Sequence, residues 1–384
     1  MTHVRLMTHD FNSNVGAAAR MSLSEETRRR WLALGGGALL SVRAGGASAK
    51  RPSGYPRSYE ALEDQANREG RLIVYSAADV NEVTELLTAF RKRYPRIDLH
   101  YEHMASKEAY DRYVREVGAG KPSADLVFNS AMDLQIKLVN DGYAQPYASP
   151  EKPFLPPYAV WKNQAYGVTA EPIVFAYNKR LLAPADVPRS HDDLERLLRT
   201  KPRAFAHKVT TYDVERSSTG FLFFTQDEQI SHDTWKLLRA LGGTQPRLYI
   251  AADEMLRRVS AGEHLIAYNI MSSYALERRA VDPAIEVVFP TDYTLVMSRI
   301  AFISKDARQP AAAKLFLDYL LSREGQLLLA RRFMTPIRID LQPQRPHADP
   351  EDLRAIHVGP ALLANLDRIK YARLIADWKR TVGR

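Results

Sequence analysis

Short apolar runs alternate with amphipathic segments over most of the chain. Residues 72–75 form a run typical of a buried strand, and apolar side chains then recur at helical spacing from Val83 to Phe90. Residues 97–117 repeat this order, with an alternating strand pattern that leads into a helix, and residues 124–139 form a third unit. Three strand–helix units in succession predict an α/β protein with a parallel sheet.

The second half of the chain continues the alternation. Strands are predicted at residues 173–178, 264–269, 285–289 and 299–304, and helices at residues 191–198, 253–260 and 311–329. Ser190 is a suitable N-cap for the helix at 191–198, because two aspartates follow in its first turn. Residues 348–384 are predicted to form one or two surface helices that close the fold.

The first 49 residues contain the three parts of an export signal. Three arginines at residues 28–30 precede a 12-residue apolar core at 31–42, and residues 47–49 are Ala-Ser-Ala. The arginine pair resembles a twin-arginine signal, with an ordinary Sec signal as the alternative. Met21 is an alternative start of the chain. We expect the mature protein to begin at Lys50 and to be located in the periplasm.

Composition excludes several classes of protein. The chain has no cysteine, which rules out disulfides, thiolate metal sites and a cysteine nucleophile. The 54 basic and 45 acidic residues give a net charge of +9, but they are interspersed, without the basic and aromatic clustering of a nucleic-acid surface. No apolar run approaches the length of about 20 residues that a bilayer span requires.

No motif in the sequence predicts catalysis. The serine-hydrolase elbow and the His-Glu-x-x-His zinc motif are both missing, and the glycine-rich segment 118–123 lacks the first glycine of a phosphate loop. His100 and His103 lie three residues apart on a predicted strand, where their side chains face opposite sides, so a metal site is not expected. We therefore predict a monomeric protein that is not an enzyme and has no catalytic residue, metal or cofactor.

Polar turns follow several of the predicted strands. In open α/β sheets, ligands bind beyond the carboxyl ends of the strands, where helix N-termini present unpaired N–H groups. Serine is also a preferred N-cap, so each turn taken alone has a purely structural interpretation. The candidate ligand-binding residues are Ser76, Ala78, Ser130, Ala131, Asp213, Glu215, Ser217, Ser218, Ser273 and Tyr274.

Four segments in order resemble one known family. Residues 72–76, 122–127, 171–179 and 322–326 are similar to the extracellular solute-binding proteins of ABC importers, in particular to the iron and hexose-phosphate type. The resemblance extends over about residues 60–345. It implies a type 2 periplasmic-binding fold with two α/β lobes, a ligand cleft between them and two hinge strands. It also implies an inner-membrane ABC permease as the partner.

The resemblance also implies domain boundaries. The first lobe is expected to be discontinuous, with residues 50–171 and 294–345, and the second lobe to contain residues 172–293. Residues 346–384 are expected to form a C-terminal helical extension, and residues 1–49 the export signal.

One segment of the sequence bears on the identity of the ligand. Ferric-binding relatives hold iron with an adjacent tyrosine pair, whereas the corresponding stretch at residues 269–274 retains only Tyr274. A small organic anion, such as a phosphorylated sugar or a phosphonate, is therefore expected, bound by hydrogen bonds from serine turns and helix N-termini. Asp213 and Glu215 would accept hydrogen bonds from hydroxyl or N–H groups of the ligand. A ferric importer, a periplasmic sensor subunit and a secreted hydrolase are the alternatives.

The export signal generates the first prediction. N-terminal sequencing of the native mature protein should begin at Lys50, because cleavage is expected after the Ala-Ser-Ala pattern. Replacing Arg28 and Arg29 with lysine should block export by the twin-arginine route and leave export by the Sec route intact. Recovery of a soluble cytosolic protein that retains residues 21–49 would contradict the prediction.

Overall fold

The computed structural model of the protein describes residues 55–344 and 350–383, so the expected export signal at residues 1–49 lies outside the described residues. The α-helices are α1 (Tyr59–Glu69), α2 (Val80–Arg93), α3 (Ser106–Gly118), α4 (Met132–Asn140), α5 (His191–Thr200), α6 (Ser218–Ile230), α7 (Thr234–Gly243), α8 (Ala252–Ser260), α9 (Ser272–Val281), α10 (Pro310–Leu321), α11 (Arg323–Ala330) and α12 (Arg368–Val382). The β-strands are β1 (Arg71–Ser76), β2 (Asp98–His103), β3 (Leu126–Asn129), β4 (Val160–Trp161), β5 (Ala165–Gly167), β6 (Glu171–Asn178), β7 (Val209–Tyr212), β8 (Arg247–Tyr249), β9 (Ile266–Met271), β10 (Ile285–Val288), β11 (Thr294–Met297), β12 (Ile300–Ile303) and β13 (Leu353–Ala355). In these ranges, no helix is both long and apolar enough to cross a membrane.

The first sheet has the strand order β2-β1-β3-β12-β5-β4. Strands β1, β2 and β3 are parallel, as the sequence predicts, whereas β12 is antiparallel to β3 and β5. Leu72 and Val74 on one face of β1 are fully buried, together with Phe90 of α2 and Phe316 of α10. The rings of Phe90 and Phe316 meet edge to face at 5.0 Å, so this face of the sheet carries a closely packed core. We call this sheet and its helices the first lobe.

The second sheet has the order β13-β11-β6-β9-β7-β8, and β10 pairs with the far end of β6. Strands β7, β8 and β9 are parallel, and β6 is antiparallel to β9. This sheet and its helices form the second lobe. The α/β class with two lobes is thus confirmed, but both sheets are mixed because strands near the lobe crossings run in the opposite direction.

The chain passes between the two sheets twice. It leaves the first sheet after β5 and enters the second at β6, and it returns between β11 and β12. Val296 in β11 pairs with Pro172 in β6, so residues 294–297 lie in the second sheet. The expected boundary at residue 294 would place them in the first lobe. Strand pairing therefore moves the return of the chain a few residues towards the C-terminus.

The C-terminal segment contains more than the expected helices. Strand β13 adds to β11 in the second sheet, which the sequence analysis did not predict because three residues give no periodicity. A short 3-10 helix, Pro360–Asn365, packs against α4 of the first lobe, and α12 packs against α7 of the second. Trp378 of α12 is buried, with an exposed fraction of 1%. This segment consequently contacts both lobes.

The predicted single helix at residues 311–329 is wrong, because Ser322 divides it into α10 and α11. Ser322 has extended backbone angles, and its hydroxyl oxygen accepts a hydrogen bond from the N–H of Gly325 at 3.1 Å. A Cβ atom on Gly325 would lie 2.0 Å from the carbonyl oxygen of Tyr319, so only glycine fits there. The apolar periodicity continues through the break, which hides the break from a sequence-based prediction.

A buried arginine occupies the second crossing. Arg299, with an exposed fraction of 0%, donates two hydrogen bonds of 2.8 Å to the carboxylate of Glu82 and one of 2.8 Å to Glu171. It also lies 3.3 Å from the hydroxyl oxygen of Ser273. Glu82 belongs to α2 of the first lobe and Ser273 to α9 of the second. We call these four residues the hinge cluster.

Burial and Arg299 act in opposite directions on the two carboxyl groups of the hinge cluster. At Glu82, desolvation by burial outweighs Arg299 and raises the pKa of the carboxyl group. At Glu171, burial also opposes the charge, but Arg299 together with hydrogen bonds from Ser273 and Thr169 lowers the pKa. One guanidinium therefore stabilises two buried acids unequally.

The hinge cluster generates the second prediction. Arg299→Met should lower the free energy of unfolding by about 3–5 kcal/mol at neutral pH, because two buried carboxylates lose their counter-charge. Without Arg299, burial raises both carboxyl pKa values above those of the unfolded chain. The loss should then shrink as the pH falls towards about 5, since protonation relieves the buried charge.

The control for this prediction is Arg331→Met. Arg331 is exposed and pairs with Glu85 at 3.3 Å, and exposed pairs contribute about 0–1 kcal/mol. Denaturant unfolding followed by circular dichroism would measure both variants. Equal losses of stability in the two variants would contradict the role assigned to the hinge cluster.

Candidate ligand-binding cleft

A cavity of about 410 Å³ lies between the two lobes. One wall is made by residues that follow β1, β2 and β3, and the other by residues that follow β7, β8 and β9. The three strands on each side are parallel within their sheet. Their carboxyl ends consequently meet at the same opening, which is where open α/β sheets bind ligands.

Helix N-termini dominate both walls of this cleft. The N-cap residues of five helices line it, and each of these helices has at least nine residues. Ser130, which precedes the N-cap of a sixth helix, α4, also lines it. The five are Asp79 of α2, Ala105 of α3, Ser217 of α6, Ala251 of α8 and Met271 of α9. The positive ends of six helix dipoles are therefore directed at one cavity.

Several of these helices have no side-chain cap. No side chain of the described residues accepts a capping hydrogen bond at Ala105, Ala251 or Met271. The first N–H groups of a helix have no partner within the helix itself. At α3, α8 and α9 these donors border the cleft, and an oxyanion placed there would accept hydrogen bonds from them.

The two acidic side chains of the cleft are paired locally. Asp79 lies 3.2 Å from Nε2 of His103, and Asp253 lies 2.8 Å from Arg278. These contacts reduce the repulsion that the carboxylates would exert on an anionic ligand.

Two cations complete the lining. Lys107 pairs with Asp111 at 2.6 Å, in an exposed i, i+4 contact on α3. Arg216 is exposed and forms no ion pair within the described part of the chain. Its guanidinium is positioned to bind an anion with charge-assisted hydrogen bonds.

Four of the predicted site residues line the cleft: Ser130, Ser217, Ser218 and Tyr274. The Ser217 hydroxyl oxygen accepts a hydrogen bond from the N–H of Gly220 at 3.1 Å, and the hydroxyl donates one to the carbonyl oxygen of Ile250 at 3.3 Å. It is thus both the N-cap of α6 and part of the wall. The structural and the functional interpretation of this turn are compatible.

Three predicted residues lie behind the wall. Ser76 is fully buried, and its hydroxyl oxygen accepts a hydrogen bond from Ala78 N–H at 3.0 Å. Ala78 is also buried, and its carbonyl oxygen accepts from the Tyr101 hydroxyl at 2.6 Å. Ala131 donates its N–H to Oδ1 of Asn129 at 3.1 Å. These residues shape the turns of the first lobe and do not line the cavity.

The two predicted acids also face other partners. Asp213 is buried, and its Oδ1 accepts from the N–H groups of Glu215 and Arg216 at 3.2 Å each. Glu215 is exposed and lies 2.6 Å from Nζ of Lys379 on α12. Neither carboxylate lines the cleft. The structure therefore does not support the expected hydrogen bonds from ligand hydroxyl groups to these two acids.

The start of α9 joins the cleft to the hinge. Ser273 is buried, and its hydroxyl oxygen faces Arg299. Tyr274 lines the cleft, with its ring centre 5.5 Å from the guanidinium carbon of Arg299. Burial raises the pKa of Tyr274 well above its ordinary value, although Arg299 opposes the shift. The phenol is therefore neutral, and the described residues contain no cluster of three metal-ligating side chains of His, Cys, Asp or Glu.

The sequence did not reveal most residues of either cleft wall. Lys107 of the first lobe and Arg216 and Ala251 of the second were not among the predicted site residues. The sequence predicts a site that binds its ligand by hydrogen bonds from serine turns and helix N-termini. The structure adds two cations, Lys107 and Arg216, to the lining. The alternation of strands and helices was the one available signal, because every βα connection of a parallel sheet ends at the same edge.

Comparisons with known proteins agree with this architecture. Residues 121–359, more than half of the chain, match the family of bacterial extracellular solute-binding proteins. A crystal structure of the substrate-binding protein of an ABC transporter from Agrobacterium tumefaciens is 36% identical, with a TM-score of 0.76 over 81% of this chain and 94% of that chain.

Two more distant structures share the fold. The periplasmic binding protein AfuA from Actinobacillus pleuropneumoniae, solved with fructose-6-phosphate, is 21% identical, with a TM-score of 0.67 over 82% of this chain and 99% of that chain. Iron-bound HitA from Pseudomonas aeruginosa is 20% identical, with a TM-score of 0.64 over the same shares. The chain belongs to the family of bacterial extracellular solute-binding proteins, and its fold is that of the two-lobed periplasmic binding proteins of ABC transporters.

Proposed function

We propose that this protein is a periplasmic component of an ABC importer that binds a small organic anion, with a phosphate or phosphonate head group, and delivers it to an inner-membrane permease. The observation that carries the proposal is the convergence of six helix N-termini on the interlobe cleft. Uncapped N–H groups at Ala105, Ala251 and Met271 supply donors without acceptors, which suits an oxyanion and not a metal cation.

Both lobes contribute to the proposed site. Lys107 and Ser130 come from the first lobe, and Arg216, Ser217 and Ser218 from the second. An anion that contacts both walls gains its full set of hydrogen bonds only when the lobes are close together. Binding therefore favours the closed arrangement by the difference in contacts between the two states. The permease would then recognise the closed arrangement, and rotation would occur at the two chain crossings.

Ferric iron is the alternative that the residues favour less. Tyr274 is the one tyrosine of residues 269–274, and its phenol is neutral and stacked against Arg299. A trivalent cation would also face Arg216 and the positive ends of the helix dipoles. The same electrostatics that stabilise an anion would raise the free energy of a bound metal ion.

The proposed function generates the third prediction. In titration calorimetry, sugar phosphates and phosphonates should give heats of binding, and the free sugars of the same series should give none. Ser217→Ala should weaken binding of the tightest anion by about 1–3 kcal/mol. The oxyanion would lose the hydroxyl donor that Ser217 directs to the Ile250 carbonyl oxygen at 3.3 Å when no ligand is present. A free sugar that binds as tightly as its phosphate would contradict the proposal.

Ser322→Ala is the matched control for Ser217→Ala. Both serines are N-caps whose hydroxyl oxygen accepts from a glycine N–H at 3.1 Å, but Ser322 lies outside the cleft. Both variants should lose about 1 kcal/mol of stability from the lost cap. Only Ser217→Ala should change the affinity. Equal affinities in the two variants would show that Ser217 serves as a helix cap alone.

The fourth prediction concerns iron. Added ferric citrate should produce neither a visible phenolate-to-iron absorption band nor a rise in melting temperature, because the neutral Tyr274 has no tyrosine neighbour in the chain. Tyr274→Phe is the control, and it should behave like the unmodified protein in this assay. A coloured complex that disappears in Tyr274→Phe would reverse the order of the two candidate ligands.

A further inference from the structure

A second cavity, of about 180 Å³, adjoins the cleft. Four residues, Lys107, Arg216, Ser217 and Ser218, line both cavities, so the two spaces meet at these side chains. We call the smaller space the side cavity. Its remaining walls come from α4, from α6 and from the C-terminal segment, which contributes Leu366 and Tyr371.

The side cavity contains a buried carboxyl group that has no side-chain partner. Asp133, in the first turn of α4, has an exposed fraction of 3%. Its Oδ1 accepts a hydrogen bond from Leu134 N–H at 2.8 Å, and no side chain within the described residues donates to it. A buried carboxylate is costly unless it is paired, and the N-terminus of α4 offsets only part of that cost.

Two charged residues that line the side cavity with Asp133 are paired with other side chains. Lys107 pairs with Asp111, and Glu215 pairs with Lys379 at 2.6 Å. Arg216 reaches the same cavity but forms no ion pair in the described ranges. Asp133 therefore forms no ion pair within the described residues, although two cations line the same cavity.

The other walls of the side cavity are largely apolar. They include Leu134, Val214, Phe221 and Leu366. Such walls suit methylene groups, while the buried carboxylate among them suits a cation. A hydroxyl group would satisfy one hydrogen bond but would leave the buried charge uncompensated.

We propose that the side cavity receives the end of the ligand opposite its anionic head and that Asp133 binds a protonated amine there. This inference rests on the proposed function, and it narrows the substrate class to zwitterions with a phosphate or phosphonate at one end and an ammonium group at the other. The C-terminal segment, which closes the side cavity, would then form part of the binding site.

The fifth prediction uses isosteric probes. Propyl phosphate, 2-hydroxyethyl phosphate and 2-aminoethyl phosphate differ only in a terminal methyl, hydroxyl or ammonium group, and the homologues with one more methylene group extend the reach. Calorimetry should show that the ammonium probe of the better-fitting length binds at least about tenfold more tightly than its methyl counterpart, as expected for a desolvated charge pair. The hydroxyl probe should resemble the methyl probe.

Asp133→Asn is the test variant. It should abolish the preference for the ammonium probe and leave binding of propyl phosphate within about twofold, because the head group lies in the cleft. Glu215→Gln removes the same charge from the side cavity, but from a carboxylate that is paired with Lys379. It should reduce the preference much less. An equal effect of the two variants would show that the ammonium group responds to the general negative potential of the cavity and does not contact Asp133. That result would overturn the proposal.

Titration supplies a second readout. Burial raises the pKa of Asp133 to about 7. The other titratable groups that line the same cavity are Lys107 of α3, Glu215 and Arg216 before α6, and Tyr371 of α12. Since an ammonium group binds the ionised carboxylate, the ratio of ammonium to methyl affinity should fall by up to about tenfold from pH 8 to pH 6. The ammonium group lowers the phosphate pKa of its own probe, so the same ratio measured in Asp133→Asn supplies the reference. The fall attributed to Asp133 is the difference between the two proteins.

The outcomes separate this proposal from the proposed function. If methyl and ammonium probes bind equally well, the cleft binds anions and the role of Asp133 is overturned. If the hydroxyl probe binds as tightly as the ammonium probe, the zwitterion class is overturned. If no phosphate probe binds while neutral sugars do, the anionic assignment fails, and the inference about Asp133 fails with it.

Discussion

One buried positive charge connects the parts of this molecule that would move. Arg299 lies at the return crossing, and its guanidinium binds Glu82 of the first lobe and Glu171 at the start of β6. Glu82 also accepts a hydrogen bond of 3.0 Å from Asp79 N–H, so the same carboxylate fixes the beginning of α2. Because removal of one partner leaves an uncompensated buried charge, the cluster holds the crossings and the first cleft helix in one geometry.

The cleft follows from that geometry and from strand direction. Three parallel strands in each lobe deliver six βα connections to facing edges, and the hinge cluster keeps these edges opposite each other. The field in the cleft comes mainly from backbone dipoles and from Arg216, because its acids are paired with His103 and Arg278. A site of this kind selects ligands by the sign and direction of charge.

The C-terminal segment adds a second constraint. It extends the second sheet through β13, packs a short helix on α4 and places α12 on α7. Val358 N–H donates to the carbonyl oxygen of Tyr158 in the first lobe at 2.8 Å, and Ile356 N–H donates to Val296 in the second at 2.9 Å. The segment therefore limits how the lobes can separate, and it encloses the side cavity next to the cleft.

The sequence by itself determined the strand–helix alternation of the first lobe and several elements of the second, since side-chain periodicity and caps such as Ser190, which accepts from Asp193 N–H at 3.0 Å, are local. It did not predict β7, β8, α6 or α7. It also placed Ser217 and Ser218 in a polar turn, which the structure shows to be the N-cap and the first residue of α6. It did not reveal whether Ser76 faces a ligand or its own turn, because Ser76 and Ser217 have the same local pattern. Only the tertiary structure decided that Arg299 meets Glu82 across 217 residues and that Asp133 lines a cavity, because such pairings depend on packing between segments distant in the chain.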